Sequence, residues 1–208
     1  ITDFAFYQYS ALSSIEIPAG VTSISQGAFA LTGLTSVTLH DNITEICYAG
    51  FNGCKFVTLE LPDSITRIDK QAFLQNRKLE RIKLPNNLVT IGMEAFGGCF
   101  ALKEITIPDS VTTIGDKAFR NSTGVTTIKM SKNIVSIGVE AFTFAQITEI
   151  TLPVTIKSIG SDIFKYSSIS VINYEGSSAD WNAVSKDDWD LSLTAYTVKC
   201  TDKDIVKE

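Results

Sequence analysis

The 208-residue chain is 44% hydrophobic and carries 18 basic against 23 acidic residues, for a net charge of −5. That composition supports a sizeable core. It offers no basic stripe of the kind nucleic-acid binding requires, and no run approaches the roughly 18 apolar residues of a membrane-crossing helix. The segment is therefore expected to be soluble, with no nucleic-acid partner and no membrane insertion. It opens at Ile1-Thr2-Asp3-Phe4 without a methionine or a signal-like apolar region, so a signal peptide is expected to be absent from it. Most of a repeat is missing ahead of Ala5-Phe6, which leads us to expect either further polypeptide before Ile1 or a makeshift cover from the opening residues.

Along the chain, a phenylalanine recurs at 6, 29, 51, 73, 96, 119, 142 and 164, always 22 or 23 residues apart. A period of that length marks a solenoid, in which each repeat buries its apolar side only against its neighbours. Ahead of each ring stands an L-x-x-I-x-I pattern, as in Leu79, Ile82, Leu84 and in Leu102, Ile105, Ile107. Its last two slots alternate with period two, as a short half-buried strand must. Proline then ends the strand at 18, 62, 85, 108 and 153, with His40 and Ser131 as exceptions. A second inward pair follows, for example Val111 and Ile114, and then glycine at 92, 115, 138 and 160, read here as the point of backbone reversal. The Ala-Phe step after it is expected to be a short helical or 3₁₀ turn.

From the proline slot to the phenylalanine is always 11 residues, whereas the step from phenylalanine to the next leucine slot is five or six. The strand-to-ring half is thus geometrically fixed, and the return loop absorbs the insertions, as surface loops do.

The repeated L-x-x-I-x-I-P-x-x-V-x-x-I-G-x-x-A-F-x-x-C, nearly whole from Leu79 to Cys99 and from Leu102 to Ser122, resembles the BspA-like (Treponema pallidum type) leucine-rich repeat family over residues 5 to about 174. The resemblance implies an α/β leucine-rich-repeat solenoid, curved and β-dominated, with a parallel sheet on its concave side. Short helical or 3₁₀ turns would join about 7–8 repeats of 22–23 residues. It also implies secreted or surface-anchored bacterial proteins, some of them adhesive. Two units are expected: residues 1–172 as the solenoid and 173–208 as a C-terminal capping segment. Trp181, Trp189 and the strand-like stretch Leu193 to Val198 would cover the last repeat, which otherwise exposes an apolar end and a strand edge. The other reading of the two tryptophans is a carbohydrate-stacking platform. The polar tail Thr201 to Glu208 is expected to fray.

Chemistry-bearing residues are sparse. His40 is the only histidine and shares no motif with Cys47, so no catalytic pair is expected. Cysteines 47, 54, 99 and 200 give neither a C-x-x-C metal spacing nor a feasible bridge between Cys54 and Cys99, two repeats apart. Lys186-Asp187-Asp188-Trp189-Asp190 is acidic without forming a calcium loop, and Asn42-Ile43-Thr44 and Asn121-Ser122-Thr123 are sequons. No cofactor motif is present. Phe144, Tyr166 and Phe100 are read either as a convex patch or as a mutually packed return turn.

What remains is the outward side of the strands. Its columns place Glu60 beside Lys83, Arg81 beside Glu104 and Glu80 beside Lys103, each expected to pair, with threonine and serine filling the rest. We therefore expect a non-catalytic, extracellular protein-binding or adhesion module. Its partner surface is expected at Glu60, Arg81, Lys83, Glu104 and Lys129, and its partners are host or cell-surface proteins, or glycans. The alternatives are a structural spacer and a carbohydrate-binding module.

Overall fold

The computed structural model describes residues 1–186 and 188–208. Each coil contributes a longer strand and then a two-residue one: β1 (Ser14–Glu16) and β2 (Ser23–Ile24), β3 (Ser36–Thr38) and β4 (Glu45–Ile46), β5 (Thr58–Glu60) and β6 (Arg67–Ile68). The pattern continues with β7 (Arg81–Lys83) and β8 (Thr90–Ile91), β9 (Glu104–Thr106) and β10 (Thr113–Ile114), β11 (Thr127–Lys129) and β12 (Ser136–Ile137), β13 (Glu149–Leu152) and β14 (Ser158–Ile159). The result is a β-solenoid of about 8 turns. All strand pairing between coils is parallel and in register, Ile15 opposite Val37 and Ile24 opposite Ile46, because every coil repeats the same inward slots. The two-residue strands form one continuous sheet of seven, from β2 to β14.

The third side of each coil is held by rings. Phe6 through Phe164 stack face to face, with centroids 5.2 to 6.1 Å apart and planes within 18°. From Phe29 onward every ring of the column is fully buried. Strands about 4.8 Å apart set the repeat, and the slightly larger ring spacing is that of an offset stack.

The Ala-Phe corner departs from the expected helical turn. Ala28 N–H bonds to Ser25 C=O (3.1 Å) and Ala30 N–H to Gly27 C=O (3.1 Å), while Gly27, Phe29 and Leu31 N–H reach into the next coil, to Tyr48, Gly50 and Asn52 C=O. Bonds thus alternate between closing a turn and joining two coils, so no helix builds up. Two residues in each coil, at two before and two after the ring, adopt φ of 53° to 68°, from Phe4 and Gln8 through Asp162 and Tyr166. This is the third position of a turn that requires positive φ, and only three of these sites are glycine: Gly27, Gly53 and Gly98.

That also corrects the reading of the glycine slot. Gly92, Gly115, Gly138 and Gly160 are not among the positive-φ residues. They are small because the preceding coil's backbone lies against them: a Cβ on Gly115 would stand 2.7 Å from Met93 N and 2.8 Å from Gly92 C. The reversal itself falls two residues later, at Lys117 and its equivalents.

The last coil continues into β15 (Val171–Tyr174), α1 (Ser178–Ala183), β16 (Tyr196–Lys199) and β17 (Asp204–Lys207). Strand β16 joins β15 in parallel, and Ser185 bridges to Ser158 of β14, so this segment adds to both sheets. Ser177 and Asp180 close a capping box at the start of α1. The expectation of a frayed tail is overturned: Asp204–Lys207 pairs antiparallel with β16, and Lys207 Nζ is held 3.0 Å from Asp190 Oδ2.

Candidate binding face

The five residues singled out from the sequence all lie exposed on the side formed by the three-residue strands, the concave side of the leucine-rich-repeat plan. Their side chains alternate with inward isoleucines and leucines, as in the exposed-buried-exposed pattern of β7 and β9. Unlike the seven-stranded sheet, this side is not one ladder. It consists of β1–β3, β5–β7, β9–β11 and the C-terminal group β13–β15–β16–β17. Between β7 and β9 the coils remain joined by Lys103 N–H to Glu80 C=O at 3.3 Å, with no strand pairing after it. An open depression of about 600 Å³ spans that discontinuity, bordered by Glu60, Arg81, Lys83, Glu104 and Thr106.

Charge pairing follows the ladders. Thr58 stands opposite Arg81 and Glu60 opposite Lys83, and the Glu60–Lys83 ion pair forms within that ladder. The hydrogen bond to Glu60 and its negative charge hold the Lys83 ammonium above its ordinary pKa. Lys103 meets Glu80 at 3.1 Å, where the coils are still joined. The expected Arg81–Glu104 pair does not form: the two residues flank the open junction, and among the described residues neither has an ion-pair partner within 4 Å. Lys129 on β11, opposite Thr106 of β9, is likewise unpaired among the described residues and borders a neighbouring depression of about 310 Å³.

The remaining candidates resolve into structural roles. His40 Nε2 lies 3.5 Å from Glu16 Oε1 at the surface, and among the described residues no hydroxyl or thiol hydrogen-bonds to it. All four cysteines are free thiols. Burial raises Cys54 to about 11 and Cys99 to about 12, and it is also the main cause raising Cys47 and Cys200, so none is poised as a thiolate.

The column containing Cys54 and Cys99 has a function that the sequence did not reveal. Cys54 Sγ donates to Phe29 C=O (3.3 Å), Asn76 Nδ2 to Phe51 C=O (2.8 Å), Cys99 Sγ to Phe73 C=O (3.4 Å) and Ser122 Oγ to Phe96 C=O (2.7 Å). For Phe51 and Phe96 the buried side chain supplies the carbonyl's partner, whereas Phe29 and Phe73 C=O also accept from Thr32 and Asn76 N–H, at 3.4 and 3.3 Å. The only sequence signal is that every member of the column is small or short.

Trp181 and Trp189 are 2% and 5% exposed and pack edge to face at 5.5 Å, so they form no sugar platform. Phe144 and Tyr166 stack at 4.7 Å, and the Arg77 guanidinium lies 5.7 Å over the Phe100 ring. Within the acidic stretch, Asp187 lies outside the described residues. Lys186 Nζ donates to Trp181 and Val184 C=O, and Asp190 accepts from Tyr196 Oη (2.7 Å). Among the described residues no group of three or more His, Cys, Asp or Glu is placed to hold a metal ion, and no helix is long and apolar enough to cross a membrane.

A parallel, in-register coil with an L-x-x-I-x-I strand on one side and a buried phenylalanine at its corner defines a leucine-rich-repeat solenoid. The chain belongs to the BspA type leucine rich repeat family, whose model matches residues 1–126 and 72–183 in six copies. Among solved structures, a leucine-rich repeat protein from Bacteroides ovatus superposes with a TM-score of 0.82 at 23% identity, covering 95% of this chain and 52% of that one. A leucine rich cell surface protein from Faecalibacterium prausnitzii gives 0.53 at 26% identity, covering 89% and 65%. The Treponema pallidum leucine rich repeat protein gives 0.54 at 25%, covering 56% and 58%. The chain thus spans between half and two thirds of the length of these three structures. No curated protein matches it.

Proposed function

We propose that this chain is a non-catalytic, extracellular protein-binding or adhesion module of a bacterial surface or secreted protein. Residues 1–172 would act as the binding solenoid and residues 173–208 as its cap. The docking surface is the strand face around Glu60, Arg81, Lys83, Glu104 and Lys129. One observation carries this reading: an open depression on that face is bordered by Arg81 and Glu104, whose charges are not neutralised by an ion pair among the described residues. The likeness to a protein described as a leucine rich cell surface protein supports the extracellular setting.

The test is binding of the chain to immobilised host matrix proteins and mucin glycans at two salt concentrations, beside a variant carrying Arg81→Glu and Lys83→Glu. Salt-sensitive binding that the variant loses supports docking on this face. Binding that the variant retains removes the face from the model. The spacer reading rests on the charges that do pair, Glu60 with Lys83 and Glu80 with Lys103. Silence across the whole panel favours it.

A further inference from the structure

On the reading that this strand face docks a partner, we infer that the partner presents an extended segment with acidic, basic and acidic side chains at alternate positions. Three charges stand on three consecutive strands: Arg81 on β7, Glu104 on β9 and Lys129 on β11. None has an ion-pair partner within 4 Å among the described residues, although neighbouring charges do pair: Lys83 with Glu60, Lys103 with Glu80 and Lys132 with Asp109. Read across the strands the order is positive, negative, positive, and its complement is negative, positive, negative.

The spacing suits an extended chain. Adjacent strands lie about 4.8 Å apart, and two residues along a strand span about 6.8 Å. Arg81 and Glu104 occupy the first position of their strands and Lys129 the last of its own, so the first step is about 5 Å and the second, a diagonal, about 8 Å. Side chains at i, i+2 and i+4 of an extended segment are about 6.8 Å apart, within reach of both steps through flexible arginine, glutamate and lysine. The surface between these charges accepts such a segment. The depression at the β7/β9 junction gives room above Ile82 and Leu84, and Thr106 offers a hydroxyl beside it. An acidic group over Arg81 gains the bidentate geometry that a guanidinium provides. A partner of uniform charge meets repulsion either at Glu104 or at both cations, which makes charge order, rather than net charge, the selective element.

The test uses the whole chain and two synthetic peptides of equal composition and net charge. Each carries two glutamates and two lysines on a threonine background. In the first, Glu-Thr-Lys-Thr-Glu is contiguous and the second lysine is terminal; in the second, Lys-Thr-Glu-Thr-Lys is contiguous and the second glutamate is terminal. Titration is followed by amide and arginine side-chain NMR shifts, which read millimolar binding. Three exposed ion pairs predict that the first peptide binds about tenfold more tightly than the second, with shifts centred on residues 81, 104 and 129. In a variant with Arg81→Glu, Glu104→Lys and Lys129→Glu the preference should invert. Equal binding of both peptides, or shifts away from these strands, overturns the inference. The panel experiment keeps the two readings separate. If a host protein binds the chain and the triple variant loses it while the peptides show no order preference, the face stands and the charge-order rule falls. If the triple variant retains the host protein, the face itself falls.

Discussion

Lys117 and Gly115 stand two residues apart and pull in opposite directions. Lys117 has φ of 56°, where a side chain costs roughly 1–2 kcal/mol. Lys117→Gly removes that strain at the expense of a more flexible unfolded chain. The expected outcome is a net gain of about 0.5–1 kcal/mol, measured by urea unfolding. Gly115→Ala must instead lose stability, because its Cβ would press on the backbone at Met93 and Gly92 rather than on a movable side chain. In the ring column, Phe96→Ala leaves a cavity between two stacked neighbours and should cost about 3–5 kcal/mol in the same assay. The buried thiols predict a pH effect. An unperturbed thiol titrates near 9.0, whereas Cys54 and Cys99 in the folded chain titrate near 11 and 12. Above pH 9 the unfolded chain releases protons that the folded chain keeps. Their contribution is therefore complete below pH 9 and is lost as the pH climbs toward 11 and 12. Replacing both cysteines by serine, which keeps a donor to the phenylalanine carbonyls, should flatten the alkaline decline in melting temperature relative to the parent chain.

Among the elements, the C-terminal pair β16–β17 depends on one carboxylate. Asp190 accepts from Tyr196 Oη and Lys207 Nζ, and Lys207 also reaches Asp190 C=O at 2.9 Å. Asp190→Asn weakens both contacts, so hydrogen exchange of the amides at 204–207 should quicken while that of β9–β11 stays unchanged. This latch was not legible in the sequence: Asp190 and Lys207 are 17 residues apart in a polar stretch, and a polar tail reads as a fraying one until its partner strand is known. The longer strands were legible, because period-two slots and proline stops are local signals, whereas the two-residue strands of the seven-stranded sheet were read only as a second inward pair. The corner turns were misread. Helix and positive-φ turns both tolerate Ala-Phe, and the distinction lies in N–H groups that bond to the next coil, a contact that local propensity does not encode.

For the whole molecule, the period of 22 or 23 residues already implied a solenoid of stacked coils, while the parallel sheet was an expectation from the family resemblance. The candidate binding face was only half legible. Columns of charge can be read from the repeat, but which pairs close depends on where the strand ladder is interrupted, and neither β7 nor β9 announces that interruption in its residues. The proposed cap makes its own prediction at this scale: a chain ending at Glu175 would bare the β15 edge and the surface that Trp181 covers. It should self-associate in light scattering where the full chain does not. The bonds between coils, such as Phe29 N–H to Gly50 C=O and Phe51 N–H to Ala72 C=O, run along the solenoid axis. A tether pulling the two ends apart therefore loads them one coil at a time rather than shearing a whole sheet at once. Each peeled coil of 23 residues pays out about 80 Å of slack. Such a protein would yield under flow like a rope with sacrificial folds, and single-molecule stretching should show low, evenly spaced steps of that length.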